Sequence, residues 1–540
     1  MTSGREGTPR AVDPDEGRAS AQSEAERATT GSTVMAGGVW STASRIVPQL
    51  YTLVISVAAA RYLGPDGMGR QSFISFAAIS LTTLLTSGLS QAFARYTAVA
   101  RGEGRPAMVR SLVAWMWRME LIGALLGAAI LIGVALGGAD PQAAWVLAGI
   151  ASAFGVLQAV PATLLMGAQR WRGMSVAGLV TGAGSTAAMI AVLAAGGGIT
   201  GMFAVEAGTV LVNLGWTGTL ARRALREIAP GDLPTVPVSR PLRREIGRYA
   251  AYSWIIVVVA LVVWQRSEFL FLDHYSSDAE IALYSIAFAA TNALVLVARA
   301  LGEVIGPAFA TLYGAGAIDR IRSGYGRALR LMTLTSLPLT AGVIALGPPA
   351  VRLFYGSPYQ GVGTPLVIMA SVLPIIPLRN ASNALLSAFG RVRLQVGIGL
   401  FATVVNLLAD FLLIPAHGAI GAAIANALAQ ATASLAILAF GIGLVGRLRW
   451  EAAALLRTAV ASAAAGAVSW AVVSGLGDTA GVPLGLLAGA LVFAALAALL
   501  RILPAEDGLW LQELAGGRLG GRLRPAFRLC TALPARSTRG

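Results

Sequence analysis

Between about residue 34 and residue 503 the chain is a succession of apolar stretches, each near the 17 to 25 residues that a helix needs to cross a bilayer. They centre near Ile46, Ala78, Ala124, Phe154, Ala187, Val210, Val259, Leu294, Leu339, Val372, Thr403, Ala431, Ala464 and Ala490, fourteen in all. No other feature narrows the fold as much, because in lipid every backbone N–H and C=O must find its partner inside the protein. Composition agrees. Charged residues make up 12% of the 540, against roughly a quarter in an average soluble chain, and mean hydropathy is +0.70. So few charges cannot cover a water-soluble surface. The expected fold is an all-α polytopic membrane protein of about fourteen transmembrane helices.

The charge that remains is lopsided, 41 basic against 26 acidic for a net +15, and every basic residue is Arg. The Arg residues stand in short clusters between the apolar runs, so no nucleic-acid partner is expected. Arg5 to Arg27, Arg101 to Arg110, Arg170 and Arg172, the seven between Arg222 and Arg248, Arg320 to Arg327, Arg391 and Arg393, Arg447 and Arg449, and the C-terminal tail fall on alternate connections. The intervening set carries Arg61, Arg70 and Arg352 with Asp140, Asp273, Asp278, Glu280 and Asp478. By the positive-inside rule both termini lie in the cytoplasm. One cysteine, Cys530, excludes a disulfide framework, and His274 and His417 with no nearby Cys make no zinc motif. GIGLVG at Gly441 to Gly446 ends an apolar span and follows no strand, so it is no nucleotide loop.

The organisation reads as a polar, disordered N-terminal tail over 1–33, a first lobe of six helices over 34–220, an Arg- and Pro-rich cytoplasmic linker over 221–249, a second six-helix lobe over 250–446, a helix pair over 447–503, and a cytoplasmic tail over 504–540. The lobes look like repeats. LLMGAQRWRGMS from Leu164 returns loosely as LLSAFGRVRLQV from Leu385, and AGGGITGMFAVEAG from Ala195 as IPAHGAIGAAIANA from Ile414. A parallel repeat of this kind is a transporter plan with the substrate cavity between the lobes. Leu509, Trp510, Leu511 and Leu514 followed by Arg518, Arg522 and Arg524 suggest an interfacial helix in the tail, with Arg on anionic phospholipid.

Four loop motifs carry a resemblance. They are ARYLGPDGMGRQSF (Ala60 to Phe73), WQRSEFLFLDHYSSDAEIALYSIA (Trp264 to Ala287), RLFYGSPYQ (Arg352 to Gln360) and NLLADFLLIPAHGAIGAAIANALAQ (Asn406 to Gln430). In order and spacing they resemble the polysaccharide (oligosaccharide-lipid) flippase family of the MOP superfamily, which also contains the lipid II flippases and the MATE antiporters. The departures are Glu268 in the acidic position of the second motif, Leu283 in place of its usual Gly, and Asp410 in the second Asn position of the fourth. The resemblance spans helices one to twelve. It implies an alternating-access exporter, not an enzyme, that moves isoprenoid-pyrophosphate-linked oligosaccharide from the cytoplasmic to the outer leaflet of a bacterial cell membrane, beside polysaccharide polymerase or glycosyltransferase machinery.

A pyrophosphate headgroup drawn towards the bilayer midplane needs fixed cations, and ionisable residues inside spans are costly and functional by default. The candidates for substrate binding are Arg45 in helix one, Arg266 in helix seven, Arg299 in helix eight and Arg379 in helix ten, each a fork that binds phosphate oxygens bidentately. Arg61 and Arg118 read as helix-end residues. Among intramembrane acids, Asp410 with Asn406 one turn away is the first candidate for coupling to H⁺ or Na⁺, and Glu206 the second. Their alternative role is to pair with the Arg residues. No bound cofactor is expected beyond such an ion. Asn292, Asn380, Asn383 and Asn426 suit helix-to-helix hydrogen bonds better than sugar contacts. A MATE-like antiporter of amphipathic small molecules is the alternative transporter, which the intramembrane Arg residues disfavour for a cationic substrate. A membrane glycosyltransferase or polysaccharide polymerase is the enzymatic alternative, which the short outer loops disfavour.

Overall fold

The computed structural model describes residues 31–168, 170–230, 236–264, 267–446, 451–508 and 529–531; for 31–46, 256, 259–260, 262–264 and 294–308 the helical path alone is described. The described residues are helical almost throughout. The helices are α1 (Gly31–Gly102), α2 (Pro106–Leu136), α3 (Gln142–Gly167), α4 (Trp171–Ala194), α5 (Gly198–Ile228), α6 (Arg240–Trp264), α7 (Glu268–Tyr275), α8 (Asp278–Gly314), α9 (Ile318–Tyr355), α10 (Gly363–Ser371), α11 (Ile376–Ala388), α12 (Val392–Val445) and α13 (Ala452–Leu500). A 3₁₀ helix, Ser357–Val362, leads into α10.

Three of these helices are two passes joined at one glycine. α1 turns at Gly64 (φ 70°, ψ −179°), α12 at Gly418 (φ 49°) and α13 at Gly477 (φ 73°). At Gly64 the backbone occupies a region open to glycine alone, and Pro65 follows at the start of the next pass. Around Gly477 the register is explicit: Gly481 lies on Val473, Gly485 on Ser469 and Gly489 on Ala465, an antiparallel hairpin closed by small residues. With α6 and α7 forming one pass, and the 3₁₀ helix, α10 and α11 another, the described helices make fourteen passes, as the apolar runs require. An even number puts Gly31 and Leu500 on one face, called here the termini face; the opposite is the far face.

The helices gather into two six-pass lobes and a hairpin. α1 to α5 form the first lobe, with α3 packed between α2 and α5. α6 to α12 form the second, and α13 lies along α9, where Gly466 meets the backbone of Ala341. At the far face this hairpin is tied down by Arg352, whose Nε and Nη2 donate to the two Asp478 oxygens at 2.9 and 2.8 Å. At the termini face Asp507, fully buried, accepts from Arg327 and Arg330 of α9. The proposed interfacial segment Leu509 to Arg524 lies outside the described residues.

The Arg- and Pro-rich segment is shorter than a loop from 221 to 249, because α5 runs on to Ile228 and α6 starts at Arg240. Its apolar members face the first lobe: Val238, Ile246 and Ala250 share one buried cluster with Phe93, Leu112 and Ala224. Arg95 of α1 sits 4.9 Å above the Tyr249 ring, and Tyr96 donates to Glu245 at 2.8 Å. The first turns of α6 are therefore held by the lobe that precedes them.

Candidate functional site: a far-face seal and a buried carboxylate cluster

The first and third motifs meet at the far face. Arg61, at the end of the first pass, donates from Nε to the Phe354 carbonyl at 2.7 Å and from Nη2 to the Leu353 carbonyl at 2.8 Å. Tyr359 donates to the Ala60 carbonyl at 3.0 Å, and Tyr355 to Ser56 at 3.1 Å. Gly69, the last glycine of the first motif, packs so closely on α8 that a Cβ there would overlap the Asp278 carbonyl. Ser72 and Ser285 meet at 3.2 Å, and Arg70 pairs with Asp273 while donating to the Asp140 carbonyl. Behind this rim Phe76 stacks on Phe269 at 5.2 Å in an apolar cluster that continues through Tyr284 and Tyr359. The lobes are thus sealed together at the far face.

The second and fourth motifs meet inside the second lobe. Asn406 and Asp410, one turn apart on the first half of α12, are both fully buried, as is Glu268 at the start of α7. Asn406 Nδ2 donates to Asp410 Oδ2 at 3.0 Å and to Ser267 Oγ at 2.8 Å, and Ser267 Oγ donates to the same carboxylate oxygen at 3.3 Å. From the second half of α12, Asn426 Nδ2 donates to Glu268 Oε1 at 2.8 Å. Tyr284 of α8 also lies against the Glu268 carboxyl. Among the described residues, Asp410 Oδ1 and Asn406 Oδ1 accept no hydrogen bond.

Two neighbouring carboxylates in a dry core repel each other and lose their hydration, and only charge compensation makes such a pair tolerable. The donors available are all oxygens: two carboxyls, the Asn406 carbonyl and a hydroxyl. That is a hard-oxygen set, suited to a proton or an alkali cation rather than a soft metal. The described residues contain no group of three or more His, Cys, Asp and Glu with metal-binding geometry.

Of the residues singled out from the sequence, Asp410 and Asn406 are brought together with Glu268, Ser267 and Asn426. Glu206 stands apart in the first lobe on α5, with no hydrogen bond or ion pair among the described residues. Arg379 on α11 is 5% exposed and donates to Gln430 of α12 at 2.9 Å, so in this conformation it is packed within its own lobe. Arg266 lies outside the described residues. So do the side chains of Arg45 and Arg299, whose helices are described. The four-Arg cavity is therefore represented here by Arg379 alone. Asn426, expected to bind another helix, does so through Glu268.

The family model described as "Polysaccharide biosynthesis protein" matches residues 34–313, and the MatE family model matches residues 254–412. A curated relative, "Probable flippase AglR" of Haloferax volcanii, is 22% identical over 188 residues, 34% of this chain; the match spans 37% of that relative's length. Among solved structures, the lipid II flippase MurJ in an inward closed conformation superposes with a TM-score of 0.67 at 13% identity, covering 86% of this chain and 98% of the other. An inward-facing multidrug resistance MATE transporter of the MOP superfamily gives 0.60 at 15% identity, covering 74% and 94%. The outward-facing conformation of such a transporter gives 0.56 at 15%, covering 76% and 95%. At these identities the structural likeness is one of fold.

Proposed function

Because the chain belongs to the polysaccharide biosynthesis protein family, we propose that it is a flippase carrying an isoprenoid-pyrophosphate-linked oligosaccharide or polysaccharide repeat unit from the cytoplasmic to the outer leaflet by alternating access. The observation that carries the reading is the far-face seal between the lobes. Motifs one and three close the lobes at the far face, as one state of an alternating-access cycle requires. In this reading the termini face is cytoplasmic, as the Arg distribution asks, and the protein sits in a bacterial cytoplasmic membrane.

The working parts follow from the residues. In this reading Arg45, Arg266 and Arg299 supply the cations for the pyrophosphate, while Arg379 braces α11 against α12 until the lobes move. Asp410, Asn406, Glu268 and Ser267 hold the coupling ion, Na⁺ or H⁺, whose charge relieves the repulsion between the two carboxyls. The described chain folds wholly into membrane passes and short connections, which supports a transporter rather than a polymerase or glycosyltransferase. In cells lacking the protein, the lipid-linked glycan should accumulate in the cytoplasmic leaflet and clear on re-expression; normal surface glycan with no accumulated precursor would refute the reading.

One observation favours a second reading. The MatE match covers the carboxylate cluster, so an ion-coupled antiporter of amphipathic small molecules is the rival. It predicts changed sensitivity to such compounds in the same deletion strain, with no lipid-linked precursor.

A further inference from the structure

On the lipid-facing side of the first lobe, away from both sites above, α2, α3 and α5 enclose a groove of about 430 Å³. Its wall on α5 runs from Leu214 to Leu225, which at 1.5 Å per residue is roughly 16 Å. That is about half of a ~30 Å hydrocarbon core, or one leaflet. The leaflet is the one on the termini face, since α5 ends there at Ile228. Two glycines create the space: a Cβ at Gly215 or Gly218 would meet nothing within 4 Å. Pro161 of α3 forms part of the floor, and Trp117 of α2, 39% exposed, stands at the edge.

The groove is apolar along its length and cationic at its termini-face end. Arg222 lines it there, in no ion pair among the described residues, and Arg226 follows one turn on along the same helix face. The neighbouring acid, Glu227, is already engaged by Arg170. A narrow apolar trough one leaflet long, ending in guanidinium groups at the headgroup level, matches one kind of molecule in both parts. The geometry points to a binding site for an anionic phospholipid, its acyl chain lying along Gly215 and Gly218 and its phosphate on Arg222. Arginine suits that end because its fork grips phosphate oxygens in pairs. The site is independent of the lobe boundary and of the identity of the transported molecule.

Native mass spectrometry of the full-length purified protein, exchanged into detergent with phosphatidylglycerol or phosphatidylcholine, tests this. The wild-type chain should retain phosphatidylglycerol about fivefold over phosphatidylcholine at this site, the effect of one Arg at a charged headgroup. Arg222→Ala should remove the excess and leave phosphatidylcholine retention unchanged. Gly218→Leu, which projects into open space and leaves the packing intact, should lower retention of both lipids. Equal retention of the two lipids by the wild-type chain, phosphatidylglycerol binding unchanged in both variants, or displacement of phosphatidylglycerol by an equimolar prenyl phosphate would each overturn the assignment.

Discussion

Arg61 Nε donates to the main-chain oxygen of Phe354 at 2.7 Å, joining the end of the first pass in one lobe to the end of the ninth in the other. With the second bond to Leu353, it turns two sequence motifs almost 300 residues apart into one contact. Arg61→Ala should therefore release the far-face seal. Labelling of a cysteine at Ser72 by a membrane-impermeant maleimide, in a Cys530→Ser background, should rise several-fold. Unchanged labelling would show that the apolar cluster alone keeps the face closed.

Ser72 and Ser285 offer the converse test. Their hydroxyls meet at 3.2 Å across the lobes, near enough for a disulfide once both are cysteine. Oxidation of that double variant should stop surface-glycan export, and a reductant should restore it. Export that continues with the crosslink formed would mean that the far face need not open.

Gly69→Ala should be more damaging than its one added carbon suggests, because the carbon falls on the Asp278 backbone, which no side-chain rotation can clear. We expect export to fall at least about tenfold with the protein still in the membrane. That corresponds to roughly 1.4 kcal/mol or more against closure. Gly102→Ala, where nothing lies within 4 Å, is the matched control.

Within the carboxylate cluster, Asp410→Asn and Glu268→Gln should each abolish dependence of transport on the sodium or proton gradient. Proteoliposomes with imposed gradients measure this, and retained dependence in both variants would exclude the cluster from coupling. Asn426→Ala acts differently. It removes the donor to Glu268 Oε1 and should destabilise the second lobe by about 1–3 kcal/mol, read as a lower unfolding midpoint in detergent.

Asp507→Asn should cost more than a surface charge change of the same size. The carboxylate is fully buried between Arg327 and Arg330, and removing one side of a buried ionic arrangement costs about 3–5 kcal/mol. Asp319→Asn, which breaks an exposed pair with Arg322, should leave the unfolding midpoint where it is.

The passes and their count were legible because lipid imposes a length on each apolar run and loop charge alternates with it. The one-residue turns were not: LGPDG reads as a loop, yet Gly64 reverses the chain alone, since a left-handed glycine needs no spacer. Asn406 and Asp410 could be paired from sequence because four residues is one helical turn. Ser267, Glu268 and Asn426 come from other passes, and no periodicity relates them to Asp410. The motifs themselves were visible, but which motif touches which is a property of the lobe arrangement. Arg379 shows the limit most clearly. A lone intramembrane Arg has the same sequence signature whatever it touches, and nothing in the spacing points to its bond with Gln430 on another pass.

The acceptors in the far-face seal have a thermodynamic consequence. Arg61 and Tyr359 donate to peptide oxygens, so separation exposes no bare carboxylate at those contacts, and water can replace each carbonyl nearly in kind. The accompanying Arg70–Asp273 pair is partly solvated and contributes little. At about 1.5–3 kcal/mol per charge-assisted bond and less for the tyrosine, the polar rim amounts to a few kilocalories per mole. A single ion falling through 100 mV supplies about 2.3 kcal/mol. On the ion coupling proposed above, the polar closure is thus of the same order as the work of one or two ions, weak enough to be undone on every cycle.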